Sequence, residues 1–334
     1  DGAALEQEML RKARRYGIRI LGPNCLGMIR TQSKLNATFS AGQAQPGRIA
    51  VISQSGALCT AILDWADASD IGFSAVVSVG DAADVGFGDV LDYLAQDPET
   101  RSILLYVEGI RSARRFMSGL RVAARMKPVI VVKAGRQAEG SRAAVTHSAA
   151  LVGADDVFDA ALQRAGAVRA TTIQQLFAAA TLLSTPQRVR GNRIAIVTNG
   201  GGPGVMATDR AVDLGVQLAE FSAATLSRLD AALPAAWSRG NPLDVLGDAS
   251  AERYRNAVQA CLEDPAVDGV LVMLTPQAMT DPLACAEAVV ETRAGHNKPV
   301  LACWMGEQQV QQANRHFAQH QLPSFTSPES SVEA

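Results

Sequence analysis

The chain writes one structural phrase twice. "RIAVISQSG" at residues 48–56 returns as "RIAIVTNGG" at 193–201. "DPETRSILLYVEG" at 97–109 returns as "DPAVDGVLVMLTP" at 264–276, and "KPVIVVKAG" at 127–135 as "KPVLACWMG" at 298–306. Three matches in the same order indicate a repeated unit rather than chance likeness. Within each copy the matched phrases are short, continuous runs of aliphatic residues. Segments of helical period, such as "GALCTAILDWADAS" and "SARRFMSGLRVAARM", lie between them. A strand without polar alternation is buried on both faces, and strands alternating with helices make βαβ units in a parallel sheet.

The expectation is therefore an α/β protein with two tandem flavodoxin-like, doubly wound domains, for which 334 residues are enough. The boundaries fall at 47–186 for the first domain and 190–334 for the second. Ahead of them, residues 1–17 read as an amphipathic helix closed by Gly17. The run "IRILG" reads as a strand leading into the turn "GPNCLG", and the polar, turn-rich residues 30–47 read as a linker. The chain opens in mid-pattern and stops at "SPESSVEA", where a helix is starting, so it reads as a piece of something longer.

Composition narrows the function classes. Nearly half the residues are apolar and only 5% are aromatic, which suits tightly packed α/β layers. The net charge is −2 with the two signs interspersed, so neither a nucleic-acid stripe nor a polybasic membrane patch is present. No apolar stretch has transmembrane length. The five cysteines are scattered without a C-x-x-C pair. That pattern favours a reducing, cytoplasmic setting and buried thiols over disulfides or a zinc site, and no metal ligands are assigned.

In each copy the first strand runs into a glycine-bearing turn that opens a helix: "SQSGAL" (53–58) and "NGGGPGVMATD" (199–209). A helix N-terminus presents unpaired N–H groups and the positive end of the macrodipole, so it can hold an anion. Gln54, Ser55 and Gly56 in one copy and Asn199, Gly200, Gly201 and Gly202 in the other are the phosphate-binding candidates. Ser55 and Asn199 would add side-chain donors. Glycine also serves tight turns for steric reasons alone, so each turn has a bland reading beside the functional one. Neither turn is a P-loop or a G-x-G-x-x-G fingerprint. Two turns at the same point of a repeated unit would let two helix ends face one anion.

His147, in "AAVTHSAALVGADD", is one of four histidines. A hydrogen-bonded structural role is the bland reading. It follows a polar segment, its neighbours are small enough to leave space on the ring, and an imidazole can act as nucleophile or acid-base catalyst. A histidine that attacks phosphorus needs a carboxylate on its other ring nitrogen. Glu108, at the carboxyl end of "ILLYVEG" where open α/β sheets bind ligands, is the candidate. Asp155 and Asp156 read as the start of the next helix rather than a metal site. An FMN-binding scaffold remains an alternative on these residues alone, whereas a serine hydrolase lacks its G-x-S-x-G elbow.

The motifs "GPNCLG", "GRIAVISQSGAL", "VEGIRSARRF", "THSAALVGADDVFDAALQRAGAV", "TNGGGPGVMATD" and "NPLDVLGDAS" resemble the nucleoside-diphosphate-forming acyl-CoA synthetases. These are relatives of succinyl-CoA synthetase and include the ADP-forming acetate–CoA ligases. The resemblance covers nearly the whole chain. It implies that an acyl phosphate passes its phosphoryl group to His147, oriented by Glu108, and that the phosphohistidine then phosphorylates ADP. The two glycine turns would cradle the phosphate. It further implies that residues 1–46 are the remnant of a CoA-binding Rossmann domain plus linker, with Gly22, Pro23 and Asn24 at that junction. Coenzyme A, phosphate, and ATP or ADP with Mg would be the cofactors, the nucleotide binding in an ATP-grasp domain beyond residue 334. A small acyl substrate, these absent domains and further copies of the chain are the expected partners, with no nucleic acid and no membrane. "ILDWADASDIGFS", "SARRF" and "DAALQRAGAVR" also resemble protein lysine acetyltransferases in which a synthetase-like body is fused to a GNAT domain. An acyl-CoA-sensing module of such a protein is the alternative reading.

Overall fold

The computed structural model describes residues 2–137, 139–140 and 154–334. The chain divides into two units, Asp1–Ala180 and Thr181–Ala334. In the first, α1 (Gly2–Arg15), β1 (Gly27–Arg30) and β2 (Leu35–Thr38) precede a regular alternation. That alternation is β3 (Pro46–Ser53), α2 (Gly56–Ala68), β4 (Phe73–Ser78), α3 (Phe87–Gln96), β5 (Ser102–Val107), α4 (Ala113–Met126), β6 (Val129–Lys133), α5 (Asp155–Ala165) and β7 (Val168–Ala170). The next helix, α6 (Ile173–Leu183), runs to the junction with the second unit.

The sheet order is β2-β1-β4-β3-β5-β6-β7, with β4 to β7 joined to β3 in one parallel array. Numbered among themselves, the parallel strands follow the flavodoxin order, second-first-third-fourth-fifth. Helices cover both faces. Phe87 of α3, Phe116 of α4 and Phe158 of α5 pack in a row over Ala50, Ile52, Ile103 and Leu105. On α2, Trp65 stacks on Phe177 of α6 with centroids 4.1 Å apart. Burial on both sides explains the unbroken apolar strands, and each fully buried Ile or Leu contributes about 1.5–3 kcal/mol.

The second unit repeats the plan. Its elements are β8 (Arg193–Thr198), α7 (Gly201–Asp213), β9 (Gln217–Leu218), α8 (Ala223–Ala232), β10 (Leu243–Asp244), α9 (Ala251–Glu263), β11 (Gly269–Leu274), α10 (Pro282–Arg293), β12 (Val300–Trp304), α11 (Gln311–Gln319), β13 (Ser324–Phe325) and α12 (Pro328–Glu333). The order β10-β8-β11-β12-β13 is again flavodoxin-like. Alternate residues of β8 and β11 serve opposite faces: Ala195, Val197, Val270 and Val272 join one core cluster, Ile196, Leu271 and Met273 the other. On the edge of β8, β9 and β10 share a single strand position, pairing with its first and second halves. The Asn241 side chain bridges the gap between them. It accepts from Ile196 N–H (2.9 Å) and donates to Ile194 O (2.8 Å) and Ala219 O (3.0 Å).

The duplication has a visible mechanical reason at its "DP…KP" ends. Lys127 donates to Leu94 O and Asp97 O, both at 2.6 Å, at the end of α3. Its counterpart Lys298 donates to Asp264 O at the end of α9. Each lysine thus satisfies carbonyls left over at a helix C-terminus, where a cation is also favoured by the macrodipole.

One expectation needs correcting. Residues 30–47 are not simply a linker, because β1 and β2 form a hairpin on the first sheet, β1 pairing antiparallel with β4. Gly27 makes this geometry accessible: its φ is +114°, and a Cβ there would sit 2.0 Å from Ala37 O. The hairpin is an edge, so β2 is mostly exposed and carries no buried-strand signature. The run at 18–22 is extended but contributes only a single bridge, Leu21 to Val85, rather than a strand. No described helix is long and apolar enough to cross a membrane.

Candidate functional site: two helix mouths at the strand ends

In the first unit the chain leaves β3 for α2 on one face and leaves β5 for α4 on the other. A crevice therefore opens between the carboxyl ends of β3 and β5, the switch point where α/β sheets bind ligands. Ser53 ends β3, and its Oγ both donates to Ser55 O (2.9 Å) and accepts from Ser55 N–H (3.0 Å), folding the turn back on itself. Ser55 caps α2, its Oγ accepting the Leu58 N–H at 3.2 Å. The N–H groups of Gly56 and Ala57 stand in the first turn of α2, where the helix itself has no partner for them.

Gln54 ties two strand ends together. Its Oε1 accepts the Glu108 N–H at 2.6 Å and the Gly109 N–H at 2.9 Å, bracing the end of β5 against the end of β3. Glu108 is buried, at 8% exposure, at the rim of the crevice. Burial, together with the nearby Glu108 charge, pushes the Tyr106 phenol above its ordinary range.

The second unit reproduces this frame atom for atom in its turn. Thr198 Oγ1 donates to Gly200 O (2.9 Å) and accepts from Gly200 N–H (3.1 Å). Asn199, only 2% exposed, occupies the Gln54 position. Its Nδ2 donates to Thr275 O at 2.9 Å, and its Oδ1 accepts the Thr275 N–H at 2.8 Å and hydroxyl at 3.0 Å. Asn199 is thus a brace between β8 and β11. Gly200 caps α7 without a side chain, and Gly201 and Gly202 are exposed at its first turn. A Cβ on Gly200 would come within 3.1 Å of Thr275 Oγ1, so packing accounts for that glycine. Gly202 precedes Pro203, whose ring crowds a helical neighbour carrying a Cβ. Gly201 has neither reason: its φ is not positive, and a Cβ would meet only Asp244 Oδ2, at 3.6 Å.

The turn "GPNCLG" lies against the first mouth. Gly22 O and Pro23 O accept the Ala83 and Asp81 N–H groups at 3.0 Å, and Asn24 Nδ2 donates to Asp81 Oδ1 at 3.3 Å. Leu26 N–H donates to Ser78 Oγ at the end of β4, and a Cβ on Gly56 would sit 3.3 Å from Leu26 Cβ. Gly22, Pro23, Asn24, Gln54, Ser55, Gly56 and Glu108 therefore share one end of the first sheet, and Asn199 to Gly202 occupy the matching end of the second. His147 lies outside the described residues. Asp155 and Asp156 open α5, as their sequence position suggests.

Four of the five thiols are buried and held protonated. Burial raises Cys59 to about 11 and Cys261, Cys285 and Cys303 to about 12. Cys25 is half-buried, unlike the buried position expected of it, because its turn lies at the surface of the unit. Sequence reasoning missed Thr275 and Asp244 as neighbours of the second mouth. For Thr275 a signal existed, since it stands in the repeated phrase where Glu108 stands in the first copy.

Family comparisons agree with this frame. The succinyl-CoA ligase like flavodoxin domain matches residues 46–183, and the Ligase-CoA domain matches 194–333. The chain is 44% identical over its full length to acetate–CoA ligase [ADP-forming] I of Archaeoglobus fulgidus, of which it spans 48%. It is 38% identical to the alpha subunit of acetate–CoA ligase [ADP-forming] I of Pyrococcus furiosus, covering 100% of this chain and 72% of that one. A solved structure of the Ca. Korarchaeum cryptofilum dinucleotide forming acetyl-coenzyme A synthetase 1, in complex with phosphate and ADP, superimposes with a TM-score of 0.93. It is 34% identical, over 99% of this chain and 72% of that one. With two domain matches in the order of the repeat and relatives aligned from end to end, the chain belongs to the family of ADP-forming acetate–CoA ligases, relatives of succinyl-CoA synthetase.

Proposed function

We propose that this chain supplies the central phosphoryl-transfer domains of an ADP-forming acyl-CoA synthetase. The whole protein interconverts acyl-CoA, phosphate and ADP with the free acid, CoA and ATP. Phosphate attacks the thioester to give an acyl phosphate and release CoA. His147 then takes the phosphoryl group, releasing the carboxylate, and passes it to ADP. The observation that carries this reading is the repeated mouth: two helix N-termini, each braced by a carboxamide, one with Glu108 at its rim. An anion there would meet N–H groups of the first helical turn, which a helix does not pair within itself. Gly56 and Ala57 in the first unit, and Gly201 and Gly202 in the second, would hold phosphate. Ser55 shapes the first mouth, and Gln54, Asn199 and Gly200 set the turns.

Glu108 would hold the opposite nitrogen of the His147 ring, fixing the tautomer that attacks phosphorus. Residues 2–26 would continue a CoA-binding domain, with Gly22, Pro23 and Asn24 at the junction beside the first mouth. ADP or ATP with Mg would bind in an ATP-grasp domain. A small acyl acid is the substrate class, and the setting is cytoplasmic. The alternative of an acyl-CoA sensor fused to a GNAT domain draws no support from relatives that are ligases along the whole chain.

The test uses the full-length protein with acetyl-CoA and radioactive phosphate. Acid-labile, base-stable label should accumulate on His147 and chase into ATP when ADP is added. Absence of label, or label that persists in His147→Ala, would refute the phosphohistidine.

A further inference from the structure

One cluster of charges in the first unit, two covered cations around a half-buried carboxylate, is not used in the chemistry just described. Lys133 closes β6 and is only 5% exposed. Its ammonium lies 3.3 Å from Gly135 O, 3.4 Å from Asp155 Oδ1, and over the Phe158 ring at 5.6 Å from the centroid. Arg169, in the neighbouring strand β7, donates through Nη2 to the same Asp155 oxygen at 2.6 Å. Its Nη1 lies 3.4 Å from Asp155 O and 3.4 Å from an Asp159 carboxylate oxygen. Val131 is the register partner of Arg169, so two adjacent strands deliver two cations onto one carboxylate. Burial alone would raise the Asp155 carboxyl; Arg169 and Lys133 outweigh it and hold the group below its ordinary range.

Stability is a weak reason for such a group. Charges removed from water regain their desolvation cost only with good geometry, and apolar residues of similar volume often serve as well. What ionic pairing adds is directionality. Lys133 stands just before the stretch that carries His147, and Asp155 is the first helical residue after it. Arg136, on the same approach, is tied separately, donating to Thr171 O at 3.2 Å.

We infer that Lys133, Asp155 and Arg169 form a clasp that fixes where the two ends of the His147-bearing stretch meet the sheet, making Lys133 a positioning residue for phosphoryl transfer. The inference rests on the phosphohistidine reading. Attack on phosphorus requires alignment within a fraction of an ångström, and misplacement by about 1 Å costs on the order of a hundredfold in rate. Lys133 and Asp155 meet at the end of β6, where Lys133 is the register partner of Val107, the residue before Glu108.

The experiment compares full-length wild type with Lys133→Met, Lys133→Arg and Asp155→Asn. Phosphoenzyme formation is followed in a single turnover, alongside KM for ADP and thermal unfolding. Lys133→Met is expected to slow phosphoenzyme formation about tenfold or more while KM for ADP stays within about twofold. Lys133→Arg, which keeps the charge, should recover most of the rate, and Asp155→Asn should resemble Lys133→Met. A wild-type rate in Lys133→Met overturns the clasp, as does a loss that only tracks the folded fraction or is equal in Lys133→Arg. If wild type itself forms no phosphoenzyme on His147, the underlying reading has failed, and the clasp with it.

Discussion

Gly201→Ala separates the two explanations for a glycine at a helix mouth, steric need and ligand access. If Gly201 were there for the fold, adding a methyl would cost stability. The geometry says otherwise: the residue is helical, and the nearest atom to a new Cβ is Asp244 Oδ2 at an ordinary 3.6 Å. Replacing glycine by alanine where the backbone already suits alanine stabilises by about 0.4–1 kcal/mol, chiefly by restricting the unfolded chain. For a unit of this size that is a rise in Tm of roughly 1–4 °C. The same methyl stands where an anion would approach the N–H groups of the first turn. Loss of one charge-assisted hydrogen bond costs about 1.5–3 kcal/mol, or about tenfold to a hundredfold in affinity. Thermal unfolding should therefore shift upward while the apparent KM for phosphate in acetyl-CoA cleavage by the full-length protein rises by at least about tenfold. A fall in Tm of several degrees would show that Gly201 is needed by the fold. An unchanged phosphate dependence would show that this mouth holds no anion.

Two further outcomes follow from the second unit. Asn199→Ala leaves the Thr275 N–H, hydroxyl and carbonyl without their partner in a half-buried turn, and should cost about 1–3 kcal/mol in denaturant unfolding; an unaltered midpoint would mean that water or a neighbour replaces the brace. Asp268, hydrogen-bonded by Arg193, has its carboxyl lowered from 3.8 to about 2. Because the folded value lies below the unfolded one, its contribution is complete above the unfolded value and is lost as pH falls from about 4 towards 2. Asp268→Asn should flatten the pH dependence of stability across that window, and an unchanged slope would place the acid sensitivity elsewhere.

The sheet plan was legible because burial on both faces writes strands as unbroken aliphatic runs, and because the same runs recur in the same order. What stayed hidden was held together by side chains rather than by pattern. The β1–β2 hairpin is an exposed edge and looks like any polar segment. The split edge strand of β9 and β10 offers two residues at each half, too few for a periodicity, and exists because Asn241 stitches the gap. Gln54 and Asn199 were visible as polar residues at the right turn. Their orientation was not: period-2 reasoning says which face a strand residue serves, but both stand just past the strand end, where that rule lapses. The Gln54 carbonyl oxygen and the Asn199 amide both bind backbone across the strand ends.

That bracing explains how a duplicated frame supports an unequal division of labour. The extra methylene of Gln54 lets one oxygen gather two successive N–H groups, those of Glu108 and Gly109. The Glu108 backbone is then fixed while its side chain takes no part in the brace. Asn199, one bond shorter, instead closes a two-way link with the Thr275 backbone and engages its hydroxyl as well. Where the first copy presents a carboxylate at the strand end, the second presents a threonine committed to holding its own turn. Only the first mouth can therefore offer a negative charge at that position to orient an imidazole. The second keeps a bare glycine entrance on its helix, with Asp244 at the end of β10 beside it rather than a carboxylate at the end of β11. Under the proposed chemistry, the first copy can pair a carboxylate with its helix mouth, whereas the second offers its helix N–H groups without one at the matching position.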